Sequence, residues 1–309
     1  MTRLAALSVD LDEVGQYRAI HGIDAEIDAP SRTVYARAVP RFEAFAASES
    51  IPLTWFAIGA DARDERNALI LRRLLGAGHE LGNHSLDHRY DLTRLEPDEM
   101  RRQVEEGAAL LASVAGARPR GFRAPGYTVT DALLDVVRES GHLYDSSVFP
   151  SPAYYLAKAA AFARMHWARR RSQSILDRPR VLSAPTRPYR IGRPYYRRGT
   201  GLVELPIQVT RGLRLPFIGT ALALVGPAGA RALARMVVGE PLVNLELHGI
   251  DALDVGDGLE TLAPHQPDVN VPSSRKLEAF AAVVGVLKRA GYGFVTLAEA
   301  ARAFENGRA

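Results

Sequence analysis

Leu4-Ala5-Ala6-Leu7-Ser8-Val9-Asp10-Leu11-Asp12 begins the chain almost at once. Its mostly apolar run reads as a strand buried on both faces, with polar residues gathered at the C-terminal end. Asp10 and Asp12 stand two apart and would share a face if the strand continued. Two carboxylates on one face repel unless a cation or proton lies between them. One could bind a metal while the other takes a proton from water; read plainly, the pair only caps the next loop or helix.

Strand and helix patterns then alternate, as a parallel α/β architecture requires. A helix is expected over Ser31 to Ser48 and a strand over Leu53 to Gly59. A helix over Asp64 to Leu75, ended by Gly76 and Gly78, leads to a strand at His79-Glu80-Leu81-Gly82. Pro97 to Val114 has an amphipathic helical pattern, with Pro97 suited to its first turn. Helices over Asp131 to Ser140 and Ser273 to Ala290 precede a last strand at Gly293-Phe294-Val295-Thr296.

The chemistry-bearing residues fall after strands and before helices, on the face where parallel α/β barrels assemble sites. In Asn83-His84-Ser85-Leu86-Asp87-His88 two imidazoles lie four apart, and on a helical turn both would point the same way. Imidazole and carboxylate together suit zinc and its neighbours. Arg123-Ala124-Pro125-Gly126-Tyr127 follows Gly121-Phe122. Its arginine could hold a carboxylate bidentately, and its Pro-Gly turn could aim the Tyr127 N–H at a developing oxyanion. Leu242-Val243-Asn244-Leu245-Glu246-Leu247-His248 delivers a histidine at a strand end, where its near-neutral pKa fits a general acid. Alone, each of these has an ordinary structural reading.

Together, Ser8 to Asp12, His84 to His88, Arg123 to Gly126 and Leu245 to His248 resemble the polysaccharide deacetylase family (NodB homology, carbohydrate esterase family 4). Motif order and spacing fit over 4–150 and 202–300; the His-Ser-x-x-His element and the Arg-x-Pro-Gly turn are the specific parts. The resemblance implies a distorted (β/α)7-8 TIM-like barrel spanning 1–309 and hydrolysis of an N-acyl group from an amino sugar of a polysaccharide, peptidoglycan-like or lipid-linked glycan. It implies one divalent ion, zinc by preference with Co2+, Ni2+ or Mn2+ as alternatives, on Asp12, His84 and His88. Asp10 would be the base, oriented by Arg123, with His248 the acid and the Tyr127 amide in the oxyanion hole. Two departures stand out. Leu11 separates aspartates that are commonly adjacent in the family, which bears on substrate rather than metal. The family's Asp-near-Trp motif is reduced to Tyr144-Asp145-Ser146-Ser147, so that Asp145 either supports the site or caps a turn.

Residues 150–201 break the alternation. A helix is expected over Ala153 to Arg171, then a Pro/Arg/Tyr-rich stretch, read as an insertion over the barrel mouth. Arg164, Arg169, Arg170 and Arg171 beside Trp167 form either a solvated face or a peripheral membrane contact for a glycolipid substrate. Leu213 to Val225 is core or a hydrophobic approach to the site. His21, His142, His166 and His265 read as surface or satisfied core residues, and His79 belongs at the far end of the barrel.

The chain of 309 residues, 47% apolar and 24% charged, has the composition of a globular protein. Lacking cysteine, it can hold neither a disulfide nor a thiolate metal site. A net charge of +4 without a reader motif gives no case for nucleic acid. No signal peptide or spanning segment is read, which makes a cytoplasmic protein the expectation. Two rivals remain: an amidohydrolase or deformylase of a small amide, and a noncatalytic carbohydrate- or lipid-binding barrel.

Overall fold

Every residue of strand β1 (Leu4–Asp10) is buried, and its alternation decides what the two faces of the sheet meet. Ala5, Leu7 and Val9 join the large apolar cluster under the surrounding helices. Leu4 and Ala6 point the other way, into a second cluster with Phe56, Tyr144 and Leu205. Ser8 and Asp10 continue that inner row, so the inside of the curl changes from apolar to polar towards the C-terminal strand ends. The structure, a computed structural model, describes residues 3–23, 32–167 and 169–307.

The remaining strands are β2 (Thr54–Ala57), β3 (Glu80–Asn83), β4 (Gly121–Phe122), β5 (Tyr144–Asp145), β6 (Tyr189–Ile191), β7 (Arg198–Glu204), β8 (Leu242–His248) and β9 (Gly293–Phe294). They form one curled sheet in the order β6-β7-β5-β4-β3-β2-β1-β8, with β9 also on β1. All pairings are parallel except β6 with β7. The two outermost strands do not pair with each other. The result is the distorted, incompletely closed (β/α) barrel expected.

The helices are α1 (Val14–Ile20), α2 (Val39–Glu49), α3 (Glu65–Gly76), α4 (Pro97–Ala115), α5 (Asp131–Glu139), α6 (Pro152–Trp167), α7 (Gly219–Val237), α8 (Ser273–Arg289) and α9 (Leu297–Glu305). Ser31, expected to open a helix, lies outside the described residues. Over 213–225 the expected apolar stretch belongs partly to α7, whose helical pattern is interrupted by Gly226 (φ 66°) and Pro227. Residues 150–201, read from the sequence as an insertion, hold β6 and the start of β7, and β7 joins the barrel against β5. Helix α6 does not reach Arg171; it ends at Trp167, and Arg169 takes a left-handed φ of 54°. Among the described residues no helix is long and apolar enough to cross a membrane.

Lys276 of α8 and Asp268 are both fully buried, 3.4 Å apart. The ammonium also donates to the Ile250 and Leu253 carbonyls at 3.3 and 2.8 Å, tying down the turn that follows β8. Lys276→Ala would strand a buried carboxylate and should cost roughly 3–5 kcal/mol. Urea unfolding should show that loss, with much of it recovered when Asp268→Asn is added to Lys276→Met.

Candidate active site

The strand register builds the site. Asp10 is level with Phe56 of β2 and His248 of β8; Ala57 is level with Asn83, Asn83 with Phe122, and Phe122 with Asp145. Residues just past these pairs therefore converge on one rim: Asp12, His84, Arg123 and Ser146, with His248 at the neighbouring strand end.

Asp12, His84 and His88 offer donor atoms within 4.8 Å of one another. Asp12 Oδ1 is 3.2 Å from His84 Nε2 and 3.1 Å from His88 Nε2. His84 Nδ1 lies 2.8 Å from the Arg123 carbonyl, which fixes it as the protonated nitrogen and turns the Nε2 lone pair inward. Burial alone would raise the Asp12 pKa, but the His88 and His84 rings overcome it and hold the carboxyl well below its ordinary value. Asp12 Oδ1 and His88 Nε2 are buried without a hydrogen-bond partner. Orphaned donors of mixed O/N type are what a divalent ion would satisfy, so the residues fit one.

The two rings do not meet across a helical turn, as the i, i+4 spacing suggested. Residues 84–88 form a loop in which Ser85 (φ 66°) and His88 (φ 54°) take left-handed backbone. Ser85 Oγ accepts from the His88 N–H at 3.1 Å, while Gly59 and Ala60 N–H donate to the Ser85 and Leu86 carbonyls. Helix α4 packs against this loop at Gly107. A Cβ there would lie 2.8 Å from the Ser85 carbonyl carbon and 2.9 Å from the Leu86 nitrogen.

Arg123, fully buried, bridges three strands. Its Nη1 donates to Asp10 Oδ1 at 2.6 Å and Ser8 Oγ at 2.8 Å; Nε donates to Ser146 O and Nη2 to Ser146 Oγ. The guanidinium also lies 4.2 Å over the Phe56 ring. Asp10 is held through one oxygen, not bidentately, and its buried Oδ2 has no hydrogen-bond partner. Burial pushes the Asp10 carboxyl up, against the downward pull of Arg123. Asp145 supports this loop: Oδ1 accepts from Ser147 Oγ, which accepts from the Ala124 N–H. Asp145 and Glu204 lie buried side by side with both carboxyls raised, first by burial; at Glu204 their mutual repulsion adds to it.

His248 Nδ1 lies 2.8 Å from Glu246 Oε1. Burial lowers the imidazolium pKa, but Glu246 reverses this and raises it well above the ordinary value. In the sequence reading Glu246 has no role of its own. Its position two before His248 on one strand was the available signal, since the two share a face. The Tyr127 N–H, expected at an oxyanion, donates instead to the Ala124 carbonyl at 3.0 Å, closing the turn. It is the Tyr127 hydroxyl that reaches the cluster, 3.1 Å from His248 Nε2.

These groups floor a cavity of about 420 Å³ that also includes Lys158 of α6, His21 and Gln266. His142 is a satisfied core residue near Asn83, its pKa lowered to about 4 by burial. His79 accepts from the Leu53 N–H, at the opposite ends of the strands as expected.

A buried Asp-His-His donor set at the C-terminal rim of an open (β/α) barrel defines a class, and comparison with known proteins narrows it. A family model described as polysaccharide deacetylase matches residues 28–144. The peptidoglycan deacetylase of Helicobacter pylori is 25% identical over 172 residues, covering 53% of this chain and 57% of that protein. A chitooligosaccharide deacetylase of Bradyrhizobium is 33% identical over 92 residues, covering 29% and 41%. The chain thus spans little more than half the length of the first relative and less of the second. A Mycobacterium smegmatis structure solved as a candidate polysaccharide deacetylase superposes with TM-score 0.63 at 19% identity, covering 100% of this chain and 92% of that one. Peptidoglycan deacetylase PdaC of Bacillus subtilis gives 0.51 at 14%, covering 99% and 93%. These two show the shared fold. Residues 28–144 thus match the polysaccharide deacetylase family model, and the chain as a whole shares the fold of these two structures.

Zn2+ titration calorimetry on metal-stripped protein should show one site. Asp12→Ala, His84→Ala and His88→Ala should each weaken it by roughly 100-fold or more, since even outer partners cost 10–100-fold. Gly107→Ala, which displaces the histidine loop without touching a donor, should fall within that outer range.

Proposed function

We propose that the protein is a hydrolase that removes an N-acyl group, acetyl by preference, from an amino sugar. The observation that supports this best is the joint burial of an orphaned Asp-His-His donor set with two separately tuned proton carriers, Asp10–Arg123 and His248–Glu246. A noncatalytic binding barrel has no use for either carrier. A divalent ion held by Asp12, His84 and His88, zinc by preference, would supply Lewis-acid polarisation of the acyl carbonyl and a more acidic water.

The chain's own residues supply the rest. Arg123 fixes Asp10 Oδ1 and leaves Oδ2 free to take a proton from water as its oxygen bonds to the acyl carbon. Glu246 keeps His248 protonated, and its Nε2–H, which faces the Tyr127 hydroxyl at rest, turns to the amide nitrogen and passes to it as the C–N bond breaks, so that amine leaves and carboxylate remains. The Tyr127 hydroxyl holds the imidazole from its other side. The Tyr127 N–H has no part, being engaged within its own turn.

Acetate release from N-acetylglucosamine oligomers, with and without chelator, tests the reading; no turnover with Zn2+, Co2+, Ni2+ or Mn2+ would overturn it. Asp10→Asn should retain Zn2+ but lose roughly 10²–10⁴-fold in kcat. Activity should fall at low pH as Asp10 protonates and at high pH as His248 loses its proton. Glu246→Gln removes the charge that raises the His248 pKa, so the alkaline limb of the kcat/KM profile should move to lower pH.

A further inference from the structure

The cavity has two unlike halves. Its floor is the polar cluster of Asp10, Asp12, His84 and His248, while much of its wall is apolar. Along α6, Ala153, Ala157, Ala161 and Met165 recur every four residues with Phe162 beside them. That step keeps them on one face, and twelve residues of helix extend the stripe over about 18 Å. Pro216, Ile218, Ala221 and Leu224 complete the wall.

Several polar groups around this wall are already engaged, while Tyr17 and Tyr90, whose hydroxyls are not, have their rings beside His248 and His88 at the floor. Lys158 Nζ donates to the Gly126 carbonyl at 3.2 Å, His21 Nε2 lies 3.0 Å from Gln266 Oε1, and Thr220 Oγ1 donates to Asp251 at 3.4 Å. A glycan chain needs hydrogen-bond partners along its length, because unpaired hydroxyls are costly to bury. An aliphatic chain needs only apolar surface. Leu224 is 52% exposed although it lines the cavity, and α6 ends in Trp167, 90% exposed. Arg170 stacks its charge near this side, 3.1 Å from His265 Nε2, whose ring neighbours His21.

We propose that this wall seats an aliphatic chain on the glycosidic side of the substrate, making the substrate a lipid-linked N-acylated amino sugar. The inference rests on the hydrolytic reading above and narrows its substrate class. The chain belongs on the glycosidic side because the acyl carbon must meet the polar floor, where Asp10 Oδ2 and Asp12 Oδ1 lie unpartnered. The apolar stripe leads away from that floor towards solvent-exposed apolar side chains.

Acetate release from methyl, butyl and octyl 2-acetamido-2-deoxyglucopyranosides, below their micelle concentrations, tests this. The kcat/KM should rise by roughly two- to fourfold per added methylene, chiefly through KM. Metal-stripped protein should bind the octyl but not the methyl glycoside by calorimetry. Ala161→Trp, which fills the slot, and Phe162→Asp, which makes it polar, should bring the octyl-to-methyl ratio towards one. Turnover that is equal across the series would overturn the chain site and leave the hydrolytic reading intact. A preference for N-octanoyl over N-acetyl on the methyl glycoside would overturn the glycosidic placement. Octyl binding that Ala161→Trp abolishes, with no sugar hydrolysed, would support the apolar site and sink the hydrolytic reading instead.

Discussion

The Arg123 guanidinium is the one charge around which the site is organised. It is fully buried, and its hydrogen bonds run to Asp10 and Ser8 on β1 and to Ser146 just past β5. A buried arginine survives only if its donors are satisfied and its charge is answered. Both conditions are met by strand ends that the parallel register brings level. Its field also reaches Asp145, Glu204 and Glu246, lowering each carboxyl that burial raises. The same contact that joins the strands therefore pulls against burial at each of these carboxylates.

Carboxylate and imidazole are assigned different tasks by their neighbours, not by their identity. Asp10 and Asp12 stand two residues apart, yet Asp12 faces two imidazoles and is pulled down while Asp10 is pushed up. His84 gives one nitrogen to a backbone carbonyl, and His248 gives one to Glu246. The second nitrogen of His84 faces Asp12 and that of His248 faces the Tyr127 hydroxyl, and the first partner decides whether it offers a lone pair or a proton.

Much of this was legible in the sequence because it depends on strand ends. Apolar runs that finish in Asp, His or Arg mark the rim of a parallel barrel, and the positions of Asp10, Arg123 and His248 followed from that. What was not legible depends on loops and on groups without a local signature. The histidine pair obeys the i, i+4 spacing but reaches its geometry through left-handed turns, which no periodicity encodes. Gly107 matters only because another segment presses against it, and the apolar start of α7 hid a helix whose pattern is broken at Gly226-Pro227. Nor does the Pro-Gly turn announce that the Tyr127 amide bonds within it while the phenol reaches His248.

The sheet ends at β6 on one side and β8 on the other, and these edges never join. In a sealed ring, strand number and stagger dictate the bore. Here the gap is spanned by the segment between β7 and α7, which meets β8 through the bridge at Ile218 and Glu246 and through the Gln208 N–H, which donates to the Asn244 carbonyl at 3.0 Å. The diameter at this seam is thus set by an irregular segment and not by a continuous strand ladder. Such a seam lets insertions of different size reshape the pocket while the row of strand ends that carries the reactive groups stays in place.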